Sequence, residues 1–269
     1  MKLATLLPPG AGDPVAGEIR DDEAVAFGDG STVRDRLESG DRTPAAGQAW
    51  PLADVSLIAP VPRPGAVYCI GLNYAKHAAE TGQTPPEQPI VFVKVVNAVT
   101  APGGPVRCPA VVKRLDYEGE LTLVMGAGNE IAGYAVADDV SARDLQRREP
   151  QWTRAKGADT FCPYGPWITT ADEIDDPGAL RLRTWVNGEL RQDSSTNDLV
   201  FGPRAVVDFI AETNTLEPGD LILTGTPSGV GMALDPPSFL EDGDVVRIEI
   251  EGLGVIEHPV EIAGGGARA

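Results

Sequence analysis

The stretch L-D-Y-E-G-E-L-T-L-V-M at 115–125 constrains the fold more than any other part of the chain. Its apolar residues are those of a core strand, yet Glu118 and Glu120 sit inside it, two apart. Residues two apart on a strand share a face, so both carboxylates project together while Leu121 and Leu123 project to the other side. Burying two close carboxylates uncompensated costs several kcal/mol or forces one to keep its proton. A divalent cation removes the conflict; an edge strand with one wet face avoids it. A second apolar run, G-Y-A-V-A-D-D-V at 133–140, ends in Asp138 and Asp139. Paired beside the first, it adds a third carboxylate. Three oxygen ligands suit Mg2+ or Mn2+, with Ca2+ also admissible. Zinc is disfavoured in a chain with two histidines.

Around these runs the pattern is one of short strands: Val67–Ile70, Ile90–Val93, Glu118–Met125, Gly133–Ala137, Leu180–Val186, Leu221–Thr224 and Val245–Ile250. Helical spacing is confined to Tyr74–Thr81, Ala142–Arg148 and Pro203–Ala211. Strands outnumber helices without alternating with them, which predicts a β-rich α+β fold rather than a doubly wound sheet. Residues 1–60, rich in Gly, Pro, Asp and Ala, read as a small irregular N-terminal module. A denser body spans 61–262, and 263–269 read as a flexible tail. Two glycine-containing runs, G-A-G-N-E-I at 126–131 and T-G-T-P-S-G-V-G at 224–231, read as turns. The first lacks the third glycine of a dinucleotide site and the second lacks the Lys-Ser/Thr of a phosphate loop.

Composition excludes some partners. With 40 acidic against 22 basic residues, the net charge of −18 argues against nucleic acid and anionic membranes. No apolar run approaches the roughly 18–20 residues of a membrane span. The N-terminal apolar patch is cut short by Pro8 and Pro9, too early for a signal-peptide core, so a cytoplasmic protein is expected. Cys69, Cys108 and Cys162 are widely spaced and read as free buried thiols. In so acidic a chain, a small anionic substrate requires a local cation, either Lys/Arg or a metal.

Two further features bear on chemistry. His77 and Glu80 are three apart in a helical pattern and share a face. A carboxylate beside an imidazole orients the ring and raises its basicity, as a general base requires; a surface pair has the same spacing. Lys156 lies in a Gly/Pro-rich stretch with Trp152, Phe161 and Trp167. It is either a solvated charge or, beside a metal, a fixed positive charge for an anionic intermediate.

Taken together, G-L-N-Y-A-K-H-A-A-E (71–80), F-V-K (92–94), D-Y-E-G-E-L (116–121), D-D-V-S-A-R-D-L-Q (138–146), K-G-A-D-T-F-C-P-Y-G-P-W (156–167), V-N-G-E-L-R-Q (186–192) and L-E-P-G-D-L-I-L-T-G-T-P-S-G-V-G (216–231) form an ordered set. The sequence resembles the fumarylacetoacetate hydrolase family, in particular its bacterial acylpyruvase- and isomerase-like members. The resemblance covers about residues 61–255. It implies mixed, rolled β-sheets with few helices, a single divalent metal (Mg2+ or Mn2+), no organic cofactor and a homodimer. It assigns Glu118, Glu120 and Asp139 as metal ligands, with Asp138 a neighbour. It also implies a base dyad of His77 and Glu80 on a lid, an active-site Lys156, and substrate contacts from Tyr74, Lys94 and Thr226. The chain departs from relatives after Lys94, where V-V-N-A-V replaces an early proline, and in the lid, with Thr81 and T-P-P-E-Q at 84–88.

The expected substrate is a small anionic 2-oxo acid, and the expected reaction is hydrolysis of its C–C bond with release of a pyruvate-type enolate. Isomerisation of an unsaturated 2-hydroxy or 2-oxo dioate and decarboxylation of oxaloacetate draw on the same chemistry. A non-catalytic metal-stabilised binding protein is the alternative from another class. His258, outside these blocks, reads as a surface or strand-end residue, or as one at a dimer interface.

Overall fold

In the computed structural model, which describes residues 1–263, the carboxylate strand runs Gly119–Met125 at the interior of a twelve-stranded sheet. It pairs antiparallel with Ile131–Asp138 in the register Gly119↔Asp138, Leu121↔Val136, Leu123↔Tyr134. On its other side it pairs antiparallel with Leu221–Leu223, which runs parallel to Val67–Gly71. Every residue of the strand is buried, so the wet-edge alternative is excluded. Glu118 stands one residue before the ladder. It is fixed to the next strand's end by its own carbonyl, which accepts from the Asp139 N–H at 2.9 Å.

A five-stranded sheet packs against the first: Glu189–Ser195, Arg181–Val186, Val245–Ile250, Gly254–Ile262 and Val106–Cys108 in spatial order. Leu121, Leu123 and Val136 of the large sheet share one apolar core with Leu182, Val246, Ile248 and Ile256 of the second. Burying side chains of this kind contributes roughly 1.5–3 kcal/mol each. The sheets approach closely at Gly119, where an added Cβ would lie 2.4 Å from Thr184 Oγ1 and 3.0 Å from Ile248 Cγ2. Only glycine lets the sheets meet between the two glutamates.

The β-rich α+β architecture is the expected one. The helices Ala75–Glu80, Arg143–Arg148 and Pro203–Ala211 form where the spacing places them. Residues 1–60 are more regular than their composition suggests. Lys2–Leu7 pairs antiparallel with Cys162–Thr170 and Val15–Arg20 follows it, so this segment extends the large sheet rather than standing beside it. A helix at Val33–Ser39 carries a capping box, with Thr32 and Asp35 each accepting the other's backbone N–H. Of the expected tail, Ala263 donates its N–H to the Cys108 carbonyl at 3.0 Å, and 264–269 lie outside the described residues. Among the described residues no helix is long and apolar enough to cross a membrane.

Candidate active site

Glu118, Glu120 and Asp139 are buried and converge, each offering one oxygen within 4.8 Å of the others. Glu120 projects from the strand, and its Oε2 accepts the Gly225 N–H at 2.7 Å. Asp139 follows immediately after Ile131–Asp138. Asp138 is not part of the group. Its Oδ1 accepts the Glu118 N–H at 2.8 Å, and its Oδ2 lies 3.0 Å from His258 Nε2. His258 is therefore neither a surface residue nor a frayed strand end. It is fully buried, because Gly254–Ile262 is flanked on both edges by Val245–Ile250 and Val106–Cys108 and turns this residue inward.

Three cations are folded in with these carboxylates. Lys156 Nζ donates to Glu118 Oε2 at 2.5 Å and Asp139 Oδ2 at 2.7 Å. Lys94 Nζ donates to the other oxygen of Asp139 and to the Val140 carbonyl. Arg143 Nη2 lies 2.6 Å from Glu118 Oε1, and its Nε donates to Asp116 Oδ2 at 2.8 Å. Burial opposes ionisation of Glu118, but Arg143 and Lys156 outweigh it and hold its carboxyl below the usual range. Burial likewise opposes the charge on Lys156, yet Asp139 and Glu118 raise its pKa above the ordinary lysine value. Glu120 goes the other way. Burial, then Asp139 and Glu118, push its carboxyl well above the usual range. No ammonium or guanidinium is hydrogen-bonded to Glu120 among the described residues. Three buried oxygen donors, one of them lacking a cationic partner, fit a divalent cation of the hard type.

Opposite stands the helix Ala75–Glu80. His77 Nδ1 lies 2.7 Å from Glu80 Oε1, and Glu80 Oε2 accepts the Gly229 N–H at 2.9 Å. Gly229 has φ +102°, and a Cβ there would lie 2.1 Å from the Arg191 carbonyl oxygen, so only glycine presents its N–H here. Thus 224–231, a turn in sequence, ties the two ends together: Gly225 binds Glu120 and Gly229 binds Glu80. The helix is entered through Asn73, whose Nδ2 donates to the Thr224 and Phe201 carbonyls at 2.8 and 3.0 Å.

Between the two ends lies a cavity of about 530 Å³. His77, Glu80, Lys156, Thr226 and the three carboxylates line it. Thr226 accepts from Gln192 Nε2 at 2.8 Å and donates to the Gly119 carbonyl at 3.0 Å. Two expected substrate contacts are not on the cavity wall. Lys94 stands behind Asp139 and reaches the site only through it. Tyr74 is fully buried, its hydroxyl has no partner among the described residues, and burial pushes its phenol far above the ordinary range. Sequence reasoning missed Arg143, although it stands in the quoted V-S-A-R-D. It also passed over Gln192, although that residue ends the quoted V-N-G-E-L-R-Q; its contact with Thr226 arrives from the second sheet. Phe92 and Trp152 line the cavity as an edge-to-face pair, centroids 5.2 Å apart.

The family model described as fumarylacetoacetate (FAA) hydrolase C-terminal matches residues 66–261. Protein Rv2993c of Mycobacterium tuberculosis is 45% identical over 264 residues, 91% of this chain and 97% of that protein. The mitochondrial oxaloacetate tautomerase fahd2 of Xenopus laevis is 44% identical over 220 residues, 77% of this chain and 69% of the relative. The crystal structure of 5-carboxymethyl-2-hydroxymuconate delta-isomerase from Mycobacterium smegmatis superposes with a TM-score of 0.83 at 38% identity, covering 98% of this chain and 100% of the other.

Proposed function

Since the chain belongs to the fumarylacetoacetate hydrolase family, we propose that it catalyses proton transfer in a small 2-oxo acid, as an enol–keto tautomerase or a double-bond isomerase. The observation that carries this reading is the placement of the His77–Glu80 dyad across one cavity from the three carboxylates and Lys156. A divalent cation, Mg2+ or Mn2+, held by Glu118, Glu120 and Asp139 would supply Lewis-acid stabilisation of negative charge on the acid's 2-oxo oxygen.

The chain's own residues supply the rest. With Glu80 accepting a hydrogen bond from His77 Nδ1–H, Nε2 is left as the basic nitrogen. Nε2 takes a proton from the carbon next to the 2-oxo group and returns it to oxygen, or to a more distant carbon of an unsaturated acid. The Lys156 ammonium sits beside Glu118 and Asp139, where it meets the charge that develops on the 2-oxo oxygen. Phe92 and Trp152 give the cavity an apolar stretch of wall. Relatives carrying 38–44% identity are named for a tautomerase and an isomerase, which puts proton transfer ahead of C–C cleavage.

Hydrolysis of an acylpyruvate is the second reading. A cavity of about 530 Å³ leaves room for a water beside a small acid, and the same Nε2 would activate it. Proton NMR in D2O decides between them. With Mg2+ present, oxaloacetate should lose its enol form and exchange its C3 protons faster than in buffer, and His77→Ala should abolish the acceleration. Acetate and pyruvate from acetylpyruvate, without accelerated exchange, would replace this reading with the second.

A further inference from the structure

The helix Arg143–Arg148 runs along the cavity and places two arginines on it. Arg143 and Arg147 are four residues apart and so share a face, about one turn or 6 Å from each other along the axis. Their surroundings differ. Arg143 is buried and committed to Asp116 and Glu118. Arg147 is exposed and lines the cavity, and its guanidinium has no hydrogen bond or ion pair among the described residues. Every other charged side chain on the cavity wall is paired: Lys156 with Glu118 and Asp139, His77 with Glu80, and Glu120 with the Gly225 N–H. The neighbouring Arg148 and Arg154 are also taken up, both by Glu149. In a chain of net charge −18, a free guanidinium at a cavity mouth is a specific anion-attracting feature.

We propose that Arg147 binds the far carboxylate of a dicarboxylic 2-oxo acid and makes the site selective for diacids over monoacids of the same length. The inference rests on the 2-oxo acid reading above and adds to it the class of acid. One end of the substrate lies against the carboxylate cluster and Lys156. The carbon skeleton crosses a wall that includes Trp152 and Met232, and the far carboxylate meets the guanidinium one helical turn from Arg143. The guanidinium fork matches a carboxylate bidentately, which a hydroxyl or methyl terminus cannot exploit.

The test compares 2-oxoglutarate with 2-oxovalerate, equal in chain length and different only in the terminal carboxylate. Titration calorimetry of the Mg2+-loaded protein should show 2-oxoglutarate bound about ten-fold more tightly, the range of one charge-assisted contact. Arg147→Met should remove that preference without changing 2-oxovalerate, Arg147→Lys should keep part of it, and Arg147→Glu should invert it. In turnover, Arg147→Met should raise KM for oxaloacetate and leave kcat within about two-fold. A wild-type protein that binds the two acids equally, or binds neither, overturns the inference. So does an Arg147→Met variant that weakens both alike. Arg147-dependent binding without any turnover would sustain the inference and sink the proposed reaction. Turnover of oxaloacetate indifferent to Arg147 would do the reverse.

Discussion

The two ends of the cavity are built on opposite terms. The carboxylate end sits at the centre of a sheet, laddered on both sides, with its three carboxylates buried and two of them, Glu118 and Asp139, paired with cations. The base end is a six-residue helix with no side-chain N-cap. That is too short to be stable alone. It is held by a handful of polar contacts: Asp198 on the Lys76 N–H, Asn73 on two carbonyls, and Glu80 on Gly229. Like charges that must stay within a few ångströms need a frame that does not yield. A base that must let substrate in needs attachments that can be exchanged. Rigidity here follows the electrostatics.

The largest effect should come from breaking the rigid end. Asp139→Asn removes a ligand, leaves the buried ammonium of Lys94 without its carboxylate, and leaves Lys156 with Glu118 alone. Calorimetry should detect no Mg2+ binding, turnover should fall to background, and chemical denaturation should show a loss of about 3–5 kcal/mol. Breaking the other end should separate these effects. His77→Ala or Glu80→Gln should lower turnover about a hundred- to ten-thousand-fold while Mg2+ affinity and stability stay unchanged. If either substitution also abolished metal binding, the two ends would be one structure and the contrast would fail.

Between them lies the glycine tie. Gly229→Ala forces a Cβ into a left-handed position against the Arg191 carbonyl, a strain of about 1–3 kcal/mol. The loop should relieve it by releasing Glu80. Amide exchange across 75–83 should accelerate and turnover should drop roughly ten-fold, less than for loss of the base itself. Unchanged exchange there would mean the helix is held by other contacts.

The rigid end was legible in sequence because two apolar runs converge on it: E-x-E alone also fits a wet edge strand, and the carboxylates ending G-Y-A-V-A-D-D tip the reading to a metal site. The H-x-x-E pair was less legible, since a surface pair has the same spacing; its role as a base was implied only by the family resemblance. What was not legible is what arrives from far along the chain. Gln192 donates to Thr226 from the other sheet, and Lys94 meets Asp139 from behind rather than substrate from the front. Tyr74 shares a motif with His77, but the strand-to-helix turn directs it into the core. The N-terminal strands were hidden by composition: Lys2–Leu7 is ordered by its partner Cys162–Thr170, which no reading of residues 1–60 alone could supply.

The smallest effect tests whether the ladder, and not a more distant polar contact, fixes the carboxylate end. His258 lies 3.0 Å from Asp138 Oδ2, and the other oxygen of Asp138 holds the Glu118 N–H. His258→Leu leaves one buried carboxylate oxygen without this partner, at a cost of about 1–3 kcal/mol in stability. His258→Gln, whose amide can replace Nε2, should recover part of that loss. The effect on Mg2+ affinity should be much smaller than for Asp139→Asn, under about ten-fold. The reason is that Glu118 keeps a second anchor, its carbonyl accepting the Asp139 N–H, and Gly119 stays in register with Asp138. If His258→Leu instead abolished metal binding at intact fold, the carboxylate cluster would depend on a single polar chain from the second sheet. The rigid end would then be no better secured than the base that faces it.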